Sequence, residues 1–417
     1  MVRQSPIKWN YLAIIIGVLL LGAIQLPYIL RLEMMSPVFY TPFYSGAENN
    51  PLFSTTWYYA SEESEVLTTK SYIEQLQFKF TTYDDQKGLK DYTGFNNRAY
   101  VTYIQVASSL FPFTGPMGAV VISHLLIHIL ICVYIARFIY SRRFSVLFLL
   151  LYGINPIILW VLLTPYYYFL QAIPSFLLIM LLHRSQGKWH STSVTWLTGV
   201  ISFLIRPTTL AINSYNVYIS LKRYKSITRF LAAGLFIIFI VALNRSLGEA
   251  TLQQPWHTAV AGLGAFPTKA FDAYPGDHFS YSVYNQIHND TIDGSFESRI
   301  YEPNFRVAYY TCLKDYYMQI CADYPHILAR NAILNTLQSY SIGHWIDHLW
   351  INILSAALGL TVIIYLVAHK NYTGLIAIGL SSITFTLIHP PIITYMFGSY
   401  LIIKYTLLST AEKRWVK

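Results

Sequence analysis

SVTWLTGVISFLIRPTTLAINSYNVYIS, residues 193–220, is an apolar run interrupted in its middle by Arg206-Pro207. Proline lacks the amide that a helix interior uses and pushes the residue before it out of helical dihedrals, so the run divides there. Each piece is too short to cross a bilayer comfortably. An arginine between two apolar pieces is costly in hydrocarbon, and the arrangement that tolerates it is a broken or re-entrant hairpin whose turn faces protein or a water-filled cavity. The stretch therefore predicts a helical membrane protein with a charge placed deliberately at a break.

Working outward, further apolar runs occupy residues 117–138, 144–163 and 166–182 before the break and 230–243, 351–368, 373–388 and 392–408 after it. The run at 11–30 follows Arg3 and Lys8 and ends in no small-residue cleavage pattern, which predicts an uncleaved first helix. Counting the hairpin as two, the expectation is an all-α polytopic protein of about ten membrane segments with both termini on one side. Composition agrees: of 417 residues 54% are hydrophobic and 12% charged, and mean hydropathy is +0.40. A pI near 9.2 would fit nucleic acid, but the basic residues lie in short clusters between apolar runs. Arg137, Arg142 and Arg143, then Arg184 and Lys188, then Lys222, Arg223, Lys225 and Arg229, then Lys370, and finally Lys413, Arg414 and Lys417 all fall on one face of this scheme. The positive-inside bias makes that face cytoplasmic and the protein a multi-pass plasma (inner) membrane protein, with no role for nucleic acid.

The acids mark the opposite face. Of 20 carboxylates, nine lie between Glu33 and Asp91 and ten between Glu249 and Asp347, leaving only Glu412 elsewhere. The chain then divides into a first helix (1–31), a first outer loop (32–115), a membrane core holding the broken hairpin (116–243), a second outer loop (244–350), and three closing helices with a cytoplasmic tail (351–417). Ion-coupled transporters carry acids within their spans and show internal repeats; neither is present in the sequence. A channel has no use for two large acid-bearing loops. An enzyme acting at the outer face on a lipid-linked substrate accounts for both features.

Several stretches carry a family resemblance. SEESEVLTTKSYIEQL (61–76) is similar to an acid pair followed by an amphipathic helix, and GFNNRAYVTYIQVASSLFPF (94–113) resembles a lead into a second span. WLTGVISFLIRPTTLAI (196–212) resembles a mid-chain Arg-Pro element, and QPWHTAVAGLGAFPTKAFDAYPGDHFSY (254–281) a loop with Trp-His, Gly-Leu-Gly, Pro, Asp and Tyr. Together they resemble the GT-C superfamily of integral-membrane glycosyltransferases. The resemblance implies a GT-C-like bundle, a polyprenyl-phosphate-linked sugar as donor, a glycan, lipid or protein as acceptor, and inverting transfer. Two departures stand out: the acid pair lies about 30 residues beyond the first span, and it is Glu-Glu where the family more often has Asp.

That chemistry can be matched to residues. Moving a sugar off a phosphate requires a carboxylate to take the acceptor's hydroxyl proton, and Glu62 or Glu63 is the candidate, with Asp84 or Asp85 as alternatives. A plainer reading makes the acids of Ser61-Glu62-Glu63 a solvated helix start. The leaving phosphate needs a cation: Arg206 offers a planar donor fork, with Arg98 and His257 as further phosphate contacts. Asp277, His389 and Tyr167 are candidates for acceptor or sugar binding, against plainer roles as a turn cap, a structural histidine and an interface anchor. No metal site and no cofactor is expected, a divalent ion near Glu62 and Glu63 being the open alternative, because an arginine can already serve a monophosphate. Cys312 and Cys321 lie in the second loop; a spacing of nine puts them on opposite faces of one straight helix, so a disulfide would need a turn between them. Two other functions remain open, an O-antigen polymerase or ligase-like enzyme that relies on outer-loop arginines, and a non-catalytic flippase for lipid-linked sugars.

Overall fold

The computed structural model describes residues 16–18, 20–21, 80–84, 88–92, 103, 106–107, 109–111, 113, 115–139, 141–163, 167–183, 189–246, 255–268, 276–288, 303–345, 348–392 and 396–415. Apart from one two-stranded ribbon and one isolated bridge, every regular element among these is helical. By length and composition three helices can cross a membrane, and a bent pair makes a fourth candidate.

The first of them is α1 (Gly115–Ala136). Beside it run α2 (Arg142–Phe148), a π turn at Leu149–Gly153 and α3 (Pro156–Leu163), bent by 46° where residues 144–163 read as one straight span. The bend has a local cause. Pro156 cannot donate to the preceding turn, Ile154 N–H reaches back to Leu149 O at 2.8 Å, and Asn155 Oδ1 takes the Ile157 amide at 2.9 Å. Carbonyls left over by the break and by the end of α3 meet buried histidines of α1: His128 Nε2 lies 2.8 Å from Gly153 O and His124 Nδ1 3.1 Å from Leu162 O. Each of these buried histidines thus serves a backbone carbonyl in an apolar interior.

The 3-10 turn Tyr167–Gln171 leads into α4 (Ala172–His183), followed by α5 (Trp189–Ile205), the 3-10 turn Pro207–Thr209 and α6 (Leu210–Ser220). Helices α5 and α6 fold back on each other about Arg206. Asn213 Nδ2 donates to Gly199 O at 3.3 Å and Ser220 Oγ to Thr192 Oγ1 at 3.4 Å, each pair equidistant in sequence from Arg206. Helix α7 (Ser226–Ser246) lies against this hairpin through buried Phe236 and Ile240, with Phe236 edge-on to Trp196 at 5.1 Å. Its other faces expose Phe230, Leu231, Leu235 and Ile238, and only 11% of its apolar window is buried. A helix greasy on its outward faces is stable in hydrocarbon rather than in water.

Helices α8 (Trp256–Gly262), α9 (Asp277–His288) and α10 (Pro303–Asp323) form a cap with its own core, in which Val260, Phe279, Tyr284, Phe305, Tyr309 and Leu313 are buried together. Cys312 and Cys321 are both free on α10, a single helix with no turn between them, so they do not pair. Then α11 (Pro325–Gln338), α12 (Leu349–Ala368), α13 (Tyr372–Thr386) and α14 (Phe397–Trp415) complete the bundle. Within residues 244–350, the end of α11 packs against the closing helices. Gly359, midway along α12, lies so close to Leu337 that a Cβ would come within 1.8 Å of its carbonyl oxygen. Beyond it Tyr340 donates to Leu375 O of α13 at 2.9 Å, Ser341 Oγ meets Ser355 Oγ of α12 at 2.7 Å, and Tyr400 of α14 donates to Ile342 O.

The ribbon pairs β1 (Phe80–Asp84) with β2 (Gly88–Tyr92) antiparallel, Phe80 opposite Tyr92 and Asp84 opposite Gly88. It departs from an all-α expectation, and its signal is the β-branched and aromatic run Phe80-Thr81-Thr82-Tyr83.

Candidate functional site

Arg206 sits at the tip of the α5–α6 hairpin because Pro207 forces it extended, at φ −150° and ψ 107°. Its backbone is fully employed: the amide donates to Ser202 O at 2.8 Å, and the carbonyl accepts the Thr209 amide at 3.1 Å and the Thr209 hydroxyl at 2.8 Å. The guanidinium lies over the Tyr168 ring, 5.6 Å from its centroid, a cation–π placement on the turn that opens with Tyr167. Arg206 and the Tyr167 turn are thus brought together; of the Tyr167 side chain itself nothing is described.

His389 belongs to the same end of the bundle. The chain continues from it into α14, whose first residue Phe397 packs edge-on against Phe169 at 5.5 Å, one residue from Tyr168. His389 is 9% exposed, and its Nδ1 hydrogen-bonds Pro390 O at 2.8 Å. The cap is seated here: a Cβ on Gly262 at the end of α8 would lie 2.1 Å from Ile388 O and 2.9 Å from His389 Cα. His257 is the second residue of that same short helix. Its Nδ1 pairs with the Tyr309 hydroxyl at 2.7 Å and its carbonyl takes the Ser280 hydroxyl at 2.9 Å, so the ring is anchored inside the cap.

Next to His389 the structure reveals His344, a residue that stands out in no motif. Its amide donates to Pro391 O at 2.8 Å, Nδ1 pairs with Gln338 Oε1 at 3.2 Å, and its ring meets Phe266 edge-on at 5.4 Å. Burial, followed by the charge of His389, pushes its pKa down to about 4, so the imidazole is neutral at physiological pH. Arg330 is a second residue that becomes evident only in the structure. It donates to Phe266 O at 3.3 Å, Pro267 O at 3.2 Å and Asn331 Oδ1 at 3.0 Å, which bolts the end of α8 onto α11.

Asp277 is the first residue of α9, and its side chain is not among those described. Glu62, Glu63, Arg98 and Asp85 lie outside the described residues, and Asp84 ends β1. Among the described residues no group of three or more His, Cys, Asp or Glu is placed to hold a metal ion. Comparison with protein-family models, with curated proteins and with solved structures finds no match.

Proposed function

We propose that this chain is a membrane glycosyltransferase of the GT-C kind, moving a sugar from a polyprenyl-phosphate donor to a glycan, lipid or protein acceptor at the outer face of the plasma membrane. In this reading the shorter apolar helices cross with the long ones, the membrane segments number ten, both termini are cytoplasmic, and Arg206, His389 and the cap lie outward. The observation that carries it is Arg206 at the tip of a helical hairpin, backed by an aromatic ring at one end of an apolar bundle. A fixed guanidinium at such a boundary suits a lipid-borne monophosphate, because its planar donor fork matches phosphate oxygens and the poorly solvated surroundings strengthen the contact.

The step runs as a displacement. The acceptor hydroxyl oxygen bonds to the anomeric carbon as the bond from that carbon to the phosphate oxygen breaks. The hydroxyl proton passes to Glu62 or Glu63, and the electron pair leaves on the polyprenyl phosphate, whose charge Arg206 stabilises. His389 and the Tyr167 turn border the same end, and in this reading His257, Asp277 and Arg98 supply supporting contacts to phosphate or sugar.

Two experiments test this. Purified protein given a synthetic polyprenyl-phosphate sugar should transfer it, and Glu62→Gln or Glu63→Gln should lower the rate by about 100-fold without altering melting temperature. A mild effect at both, with large losses on replacing Arg98, Arg299 or Arg306, would favour the polymerase-like alternative. Cysteines introduced at Ser141 and Asn289 should label from opposite faces; labelling from one face would sink the topology.

A further inference from the structure

The end of the bundle remote from Arg206 holds a cavity of its own. Tyr168, under Arg206, starts the helical run Tyr168–His183, and His183 closes it roughly 25 Å away. Between the end of α4, the turn from α12 to α13 and the last turns of α14 lies a cavity of about 840 Å³, the size of small-molecule sites. Its apolar wall is Phe138, stacked on the His183 ring at 4.1 Å. His183 is hydrogen-bonded to the Tyr405 hydroxyl and feels the charges of both Lys413 and Lys222.

Lys370 is the telling residue. It stands at φ 54° in the turn that ends α12, where its amide donates to Val367 O and the Asn371 amide to Leu366 O, both at 2.9 Å. That pattern is the left-handed helix stop at which glycine is favoured, because a side chain there crowds the backbone. A lysine holds the position instead and lines the cavity with Lys413. The turn is fixed rigidly: Asn371 Oδ1 caps α13 by accepting the Gly374 amide at 3.0 Å, while its Nδ2 donates to Thr410 Oγ1 of α14 at 2.8 Å. The start of α13 adds the positive end of a helix dipole. One carboxylate lines the cavity, Glu412, and it accepts the Ser141 amide. Among the described residues neither Lys370 nor Lys413 forms an ion pair with a carboxylate.

We propose that this cavity binds a phosphorylated ligand, with Lys370 and Lys413 on its phosphate and the Phe138 wall against its apolar part. A general excess of basic residues on a cytoplasmic face explains lysines in the loops, but not a lysine at the one non-glycine left-handed position among the described residues. The shared chemistry is a phosphate group, carried either by an anionic lipid of the adjacent leaflet or by a soluble phosphorylated molecule. The inference does not depend on what Arg206 does.

The test uses the full chain in phosphatidylcholine nanodiscs. One arm titrates inorganic pyrophosphate calorimetrically; the other incorporates phosphatidic acid and counts retained lipid by native mass spectrometry. Saturable binding is expected in at least one arm, weakened about tenfold or more by Lys370→Gly and by Lys413→Gln. Lys370→Gly should melt no lower than the parent, since it relieves the left-handed position. Binding in the lipid arm alone assigns a headgroup, in the pyrophosphate arm alone a soluble ligand, and in both arms the phosphate itself as determinant. Absence of saturable binding in both arms, or parental affinity in both variants, overturns the proposal.

Discussion

Two of the turns in the helical bundle are built in opposite ways. The turn at Arg206 presents a fixed charge: its backbone bonds are satisfied locally, between Ser202 and Thr209, and the guanidinium is displayed on Tyr168. The turn after Gln338 presents no charge; Tyr340, Ser341 and the Ile342 carbonyl are tied to α13, α12 and α14 in turn. A locally satisfied turn can change its side chain without disturbing its neighbours, whereas one held by three other helices cannot. The first is therefore suited to a ligand and the second to holding the bundle together.

The largest expected effect breaks the first turn. Arg206→Ala should lower sugar transfer by about 30- to 1000-fold, the equivalent of about 2–4 kcal/mol of transition-state stabilisation, with a melting temperature close to the parent's. Loss of folding instead would make Arg206 structural and erase the contrast.

Acid sharpens the second. His344, beside that turn, has its pKa lowered from 6.5 to about 4, so between these values the unfolded chain binds the extra proton and the folded one does not. The contribution of His344 to stability is thus complete above about pH 6.5, falls as pH drops towards 4 and is lost below, on the order of 3 kcal/mol for this residue. Melting curves across this range should show a slope, and His344→Gln should remove this residue's share of it.

Gly359→Ala places a methyl group against Leu337 and should cost about 1–3 kcal/mol, as overpacking does. Gly234→Ala on α7, where no atom lies within 4 Å, should cost nothing and can gain up to about 1 kcal/mol of helix propensity. Equal melting temperatures for the two variants would show that α11 does not press on α12. The smallest effect is none at all: a reductant should leave the melting temperature unchanged, since Cys312 and Cys321 are free thiols.

What could be read from sequence follows the same division. Arg206-Pro207 announces itself because proline acts on its immediate neighbours, and the hairpin folds about that dipeptide. Long apolar runs mark α1, α7 and α12 to within a few residues of their ends, because length and greasiness are local properties. The packing of the end of α11 left no such mark. Gln338, Ser341 and His344 are ordinary polar residues whose partners, Asn352, Ser355 and Pro391, come from elsewhere in the chain, and Gly359 reads as one more small residue in an apolar run. His344 carries no sequence signal for that reason, and nothing local in the sequence marks the left-handed backbone of Lys370 beside its cavity.

If Arg206 holds the phosphate of a polyprenyl carrier, as proposed, ground-state binding shows it without depending on acceptor or sugar. The affinity of the purified parent for a polyprenyl monophosphate should fall by about 10- to 100-fold in Arg206→Ala, the loss of one charge-assisted hydrogen-bonding group. Equal affinity in the parent and a folded Arg206→Ala variant would contradict it.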